Sequence, residues 1–142
     1  MDWEIKPFYG VGPIVFGMRR DEVRRSVGSR FREFTKSALQ PLKKVDAFEE
    51  LLVHVYYGVE DDACEFVEFA GGHVMPIFRG RRLLEEPFVA LRGWLRTVDS
   101  GTVEDESGIE CPNLGLLLYC PDAEERPGRT AEAASVYRAG YR

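Results

Sequence analysis

One pattern occurs twice along this chain: a short amphipathic helix followed by a run of strands. The first copy opens at Phe16-Gly17-Met18-Arg19-Arg20-Asp21-Glu22-Val23 and the second at Leu83-Leu84-Glu85-Glu86-Pro87-Phe88-Val89. Strands joined by hairpin-like links pair antiparallel, and a helix with one apolar face needs a sheet to dock on. The repeat therefore predicts an α+β fold. Two similar halves, about 1–80 and 81–142, would form one antiparallel sheet with both helices on one face. No low-complexity tract or linker divides the 142 residues, and that length suits a single domain with a real core.

Local signals place the elements. Trp3-Glu4-Ile5 reads as a first strand closed by Pro7, and the turn Gly10-Val11-Gly12-Pro13 delivers Ile14, Val15 and Phe16 to the core. A helix over 19–27 puts Val23 and Val27 on one face, pairs Asp21 with Arg25, and stops at Gly28. Strands follow at 31–36, 51–57, 63–69 and 74–79, with Gly58-Val59-Glu60-Asp61-Asp62 as the acidic link of a hairpin. Pro76 argues for an edge strand or a bend. The second helix carries Phe88, Leu91, Trp94 and Leu95 on one broad core face. Pro87 suits its first turn and Glu85-Glu86 its N-terminus. Gly93 is a weak point within it, where the helix backbone would approach the sheet. Strands at 102–106, Leu114–Cys120 and Ala134–Tyr137 complete the chain, and Pro121–Thr130 reads as a polar loop.

Period-two alternation divides the strand residues into two faces. Val53, Val55, Tyr57, Leu116, Leu118, Cys120 and Val136 form the more aliphatic set and are assigned to the helix side. His54, Tyr56, Tyr119 and Tyr137, with Leu117, are assigned to the open face. A slip of one residue would exchange the two sets.

Catalytic and metal chemistries find little support. Cys64, Cys111 and Cys120 show no CxxC spacing, and His54 and His73 show neither HxxH nor HxxxH, so structural cysteines are expected. His54 could meet Cys64 across the hairpin, but a strand histidine among tyrosines is the more ordinary reading. Gly10-Val11-Gly12 lacks the third glycine and helix of a dinucleotide site, and Asp61-Asp62 lack the alternating ligands of a calcium loop. The expectation is a non-enzymatic chain with no cofactor and no metal.

Charge bears on partners. Residues 1–44 hold ten Lys/Arg against five Asp/Glu, whereas the remainder holds nine against nineteen. An acidic region of this kind attracts a basic partner and speeds encounter, though two solvated surfaces of opposite sign also explain it. Nucleic acid is a poor partner for so acidic a chain. No apolar run reaches membrane-spanning length and no basic leader opens the chain, so no membrane is expected and the cytoplasm is the default location. Oligomeric state is not readable.

The run Gly17-Met18-Arg19-Arg20-Asp21-Glu22-Val23, with Val27-Gly28 after it, resembles a helix-opening motif written G-M-S-x-x-E-V-x-x-x-L-G. The motif belongs to small bacterial proteins, some of them encoded beside polymorphic toxins as immunity proteins. Asp46-Ala47-Phe48, Val53-His54-Val55-Tyr56-Tyr57, Glu65-Phe66-Val67-Glu68-Phe69, Leu114-Gly115-Leu116 and Val136-Tyr137-Arg138-Ala139-Gly140-Tyr141 extend the likeness over most of the chain. The same opening occurs in lipoproteins of the outer-membrane assembly type and in beta-lactamase-inhibitor-like domains, whose tandem units grip a protein with an exposed sheet face. Arg19 stands where a capping Ser or Thr is expected, Leu52 replaces a turn glycine, and no lipid-attachment cysteine lies near the start. The resemblance implies a toxin inhibitor acting by occlusion. The expected contacts are His54, Tyr56, Tyr119 and Tyr137 on the open face, with Glu60, Asp61 and Asp62 steering a basic toxin. The rival reading is a small-ligand-binding or enzymatic domain with a pocket between sheet and helices. A third is a structural subunit that buries the tyrosine face against a copy of itself.

Overall fold

A computed structural model describes residues 1–36 and 43–141. The chain opens with β1 (Asp2–Lys6), β2 (Gly10–Val11), β3 (Ile14–Val15) and α1 (Arg20–Val27). Four strands follow: β4 (Arg32–Lys36), β5 (Lys43–Phe48), β6 (Val53–Tyr57) and β7 (Cys64–Phe69). The second half repeats the plan with β8 (Met75–Phe78), β9 (Arg81–Arg82), α2 (Phe88–Val98), β10 (Val103–Asp105), β11 (Gly108–Cys111), β12 (Leu116–Tyr119) and β13 (Ala133–Tyr137). Each helix thus leads into a four-stranded antiparallel meander. The two meanders join through their last strands, β7 and β13, to make an eight-stranded sheet in the order β10-β11-β12-β13-β7-β6-β5-β4.

The expectation of a single sheet with both helices on one face is corrected. A second, five-stranded sheet runs β3-β2-β1-β8-β9, and its β1 and β8 are parallel, with Trp3 opposite Pro76. Trp3, Ile5, Val11, Ile14 and Phe78 from this sheet join Val23 of α1 and Phe88, Leu91 and Leu95 of α2 in one core. The layer over the large sheet is therefore built by the small sheet and the helices together. Strand β8 is not an edge either, because it lies between β1 and β9. Pro76 is tolerated there because the Met75 amide donates to Met1 and the Pro76 carbonyl accepts from Leu83, so no proline N–H is required.

Helix α1 stops at Gly28, whose φ of 67° is the left-handed conformation of a glycine cap, and Arg25 lies 3.7 Å from Asp21. Its start is half capped. The Glu22 carboxylate accepts the Arg19 amide at 3.1 Å, but the Arg19 side chain has no acceptor to return the bond. Arg19→Ser supplies that oxygen and is expected to raise stability by about 1 kcal/mol, read as a higher urea midpoint with unchanged slope.

Helix α2 begins after Pro87, which is its N-cap rather than a first-turn residue. Glu85 and Glu86 turn back to Arg82 and Arg81 of the β8–β9 hairpin instead of facing the helix start. Gly93 does not mark a close approach to the sheet: it is exposed, and a Cβ there would meet nothing within 4 Å. Gly93→Ala is accordingly expected to stabilise the protein by about 0.5–1 kcal/mol, a rise of about 2–6 °C in thermal denaturation. Leu52 occupies the position of the missing turn glycine and adopts a left-handed φ of 57°, so the turn is made at a strain cost of about 1 kcal/mol. Among the described residues no helix is long and apolar enough to cross a membrane.

Candidate functional site

The register of the large sheet sets which side chains share a face. Val53, Val55, Val67, Phe69, Leu116, Leu118 and Val136 lie in the core. Pairings His54 with Glu68, Tyr56 with Phe66, Tyr137 with Phe66, Ser135 with Leu117, and Tyr119 with Ala133 define the opposite, open face. His54, Tyr56, Leu117, Tyr119 and Tyr137 therefore do share that face.

They are not equally accessible on it. Tyr119 is 48% exposed, whereas Tyr56 is 7% and Tyr137 3% exposed. Tyr56 lies edge-on to Phe66 at 5.2 Å, with the Lys36 ammonium 5.0 Å above its ring. Tyr137 is flanked by Phe8 at 6.4 Å and Tyr141 at 5.5 Å, and its hydroxyl donates to Glu110 Oε2 at 2.7 Å. Half-buried His54 stands edge-on to Phe34 at 5.8 Å, with Nδ1 3.9 Å from Glu68 Oε1. Two of the four expected aromatic contacts are thus part of the face's own packing.

The acidic link is also differently placed. Asp61 accepts from Arg138 at 2.9 Å and from the Ala63 amide at 3.1 Å, and the Arg138 bond leads in holding its carboxyl below the ordinary range. Asp62 accepts from Arg20 Nε at 2.9 Å. Glu60, which is exposed, and Asp61 border a cavity of about 370 Å³ together with Lys43, Glu65 and Arg138. Lys43 and Glu65 are ion-paired there. Two of the link's three carboxylates, Asp61 and Asp62, are thus held in ion pairs.

A different part of the open face is concave. A groove of about 510 Å³ crosses it over β7, β13, β12 and the β10–β11 hairpin. Phe66, Leu117, Tyr119 and Ala133 supply an apolar floor, and Glu68, Asp105 and Glu110 add three carboxylates; among the described residues its lining holds no cation. Asp105 is fixed by three bonds, from the Ser107 hydroxyl at 2.7 Å, the Ser107 amide at 2.8 Å and the Gly108 amide at 3.1 Å. These bonds, the Ser107 hydroxyl first, keep it ionised below the usual carboxylate range. Sequence reasoning missed Phe66, Glu68 and Ser135, although the alternation in Cys64–Phe69 and Ala133–Tyr137 placed each opposite a core residue, and it missed Glu110 because no strand was expected over β11.

The cysteines sit in the core. Burial pushes the Cys64 and Cys111 thiols up to about 12 and raises Cys120 as well, so all three stay protonated at neutral pH. Cys64 and His54 are on opposite faces of the sheet and form no dyad. Among the described residues no group of three His, Cys, Asp or Glu could hold a metal. Core side chains pack between the large sheet and its covering layer, and neither of the two cavities described above lies there.

No family model matches the chain, and no curated protein matches it in sequence. Among solved structures, the uncharacterized protein yfeY from Escherichia coli is similar, with a TM-score of 0.61 over 97% of this chain and 100% of that one. At 8% identity the likeness is one of fold alone.

Proposed function

We propose that this chain is a protein-binding module, most concretely an immunity-type inhibitor that occludes a bacterial toxin with the open face of its eight-stranded sheet. The observation that carries the reading is the groove: an apolar floor with carboxylate walls, on the one face of the large sheet that the core does not use. Exposed Tyr119 and half-buried Leu117 offer contact area at low entropic cost, and the carboxylates favour a basic partner. Steering by Glu60, Asp61 and Asp62 is replaced here by the acids of the groove, since Asp61 and Asp62 already hold arginines.

The test uses the tagged chain and its Leu117→Asp/Tyr119→Ala variant as parallel baits against lysate and secreted proteins of the source cell. A stoichiometric basic protein held by the first bait, released by salt and absent from the second, is the expected result. Equal capture by both baits rejects the open face as the binding surface.

A further inference from the structure

Residues 121–130 run from β12 toward β13 as a strap beside the start of α2. Ala123 is the one buried residue in the strap, and its methyl group anchors little apolar area. The ties to the rest of the chain are weak. The Arg129 carbonyl accepts the Phe88 amide at 2.9 Å, and the Thr130 carbonyl accepts the Cys120 thiol at 3.7 Å. Arg92 of α2 reaches Glu124 at 3.2 Å, but Glu124 is 81% exposed, so that pair contributes little. Within the strap Arg129 lies 3.6 Å from Asp122.

Two buried side-chain atoms lack a hydrogen-bond partner among the described residues, Asp122 Oδ1 and Arg92 Nε, and both lie at this strap. One belongs to it, and the other to the α2 residue that bonds Glu124. Each has given up water without a replacement bond, which is a standing cost of the closed position. Opening returns water to both atoms. It forfeits the Ala123 burial, the Phe88–Arg129 and Cys120–Thr130 bonds, and ion pairs that solvent already screens. We infer that residues 121–130 swing off α2 as a unit while both sheets stay paired, laying bare the Cys120 thiol and the first turn of α2. The far end stays pinned, because Ala131 is buried in the core and the Glu132 amide donates to the Tyr119 carbonyl at 2.8 Å. Cys120 and α2 belong to the core side of the large sheet, away from the groove. The strap and the inhibitor reading therefore stand or fall separately.

The test exposes the full chain to iodoacetamide and follows alkylation of each cysteine by peptide mass spectrometry. Cys120 should react at least about a hundredfold faster than Cys64, which lies on β7 in the middle of the large sheet and reports global unfolding. Urea below the unfolding transition should speed Cys64 strongly and Cys120 hardly at all, because strap opening exposes little surface. Cys111, on β11, reports fraying of the β10–β11 hairpin and should lag well behind Cys120. Asp122→Ala removes one of the unpaired atoms and should slow Cys120 alkylation about fivefold. Cys120 keeping pace with Cys64, or rising with it in urea, overturns the strap. Cys111 keeping pace with Cys120 assigns the exposure to the hairpin and overturns it equally. Asp122→Ala failing to slow Cys120 rejects the unpaired atoms as the cause of opening. The urea comparison is made on the unaltered chain and needs no variant to fold.

Discussion

Asp46→Ala is expected to cost about 3–5 kcal/mol of stability, read as a large fall in the urea midpoint. Asp46 is wholly buried on β5 and accepts three hydrogen bonds at 2.8 Å: from Arg24 Nε, from an Arg24 terminal nitrogen, and from the Tyr57 hydroxyl. Arg24 reaches it from α1, continues to Glu33 of β4 at 2.7 Å and covers the Phe31 ring at 4.2 Å. The hydrogen bond to Asp46 is the leading influence that keeps Arg24 charged. Burial first, then Asp46, keeps the Tyr57 phenol protonated as a donor. Alanine would leave the buried Tyr57 hydroxyl without its acceptor and Arg24 with Glu33 as its remaining carboxylate, across the space the Asp46 side chain had filled. Asp46→Leu combined with Arg24→Met should recover most of the loss, because an apolar pair has no charge to desolvate. A double variant no more stable than Asp46→Ala would show that the network holds α1 by geometry rather than by satisfying its own charges. Since Asp46 lies on the core face, the folded fraction of Asp46→Ala should still bind through the open face.

The same residue explains why β5 was hard to read. In Lys43-Lys44-Val45-Asp46-Ala47-Phe48 the core-facing positions are Asp46 and Phe48, so a charge stands where alternation calls for an apolar side chain. Its partners, Arg24 and Tyr57, lie 22 and 11 residues away and give no local signal. The helices and the longer strands were legible because each carries its own period. The small sheet was not: β2, β3 and β9 have two residues each, and the parallel pairing of β1 with β8 joins distant parts of the chain. Facing was legible for His54, Tyr56, Tyr119 and Tyr137, because alternation determines it. Burial was not, because it depends on what adjoining segments lay across each ring: Lys36 and Phe66 for Tyr56, Phe8 and Tyr141 for Tyr137. The pairing of Asp61 and Asp62 was not legible for a related reason, since Arg20 lies 42 residues from Asp62 and Arg138 lies 77 from Asp61.

Gly108→Ala is expected to cost about 3 kcal/mol and to abolish binding in the groove. A Cβ on Gly108 would lie 2.0 Å from the Leu118 carbonyl oxygen and 3.2 Å from the Tyr119 Cα, so the obstruction is backbone and cannot rotate away. Overpacking against a rigid neighbour costs about 1–3 kcal/mol by itself. Separating the strands adds lost ladder bonds, together with the neighbouring bond of the Cys120 amide to Ser107 at 2.7 Å. The Gly108 amide also helps hold Asp105. Damage should stay local, because β10 and β11 form one end of the large sheet and can part from β12 while β5, β6 and β7 remain paired. Hydrogen exchange should accordingly quicken in β10 and β11 and stay slow in β6 and β7. The wall formed by Val103, Asp105 and Glu110 moves with the hairpin, whereas Glu68 and Ser135 sit on strands that do not. Capture of the basic partner lost with β7 intact would place the recognition at the junction of hairpin and meander. Capture retained in the presence of rapid β10–β11 exchange would instead confine it to β7, β13 and β12, with the hairpin no more than a rim.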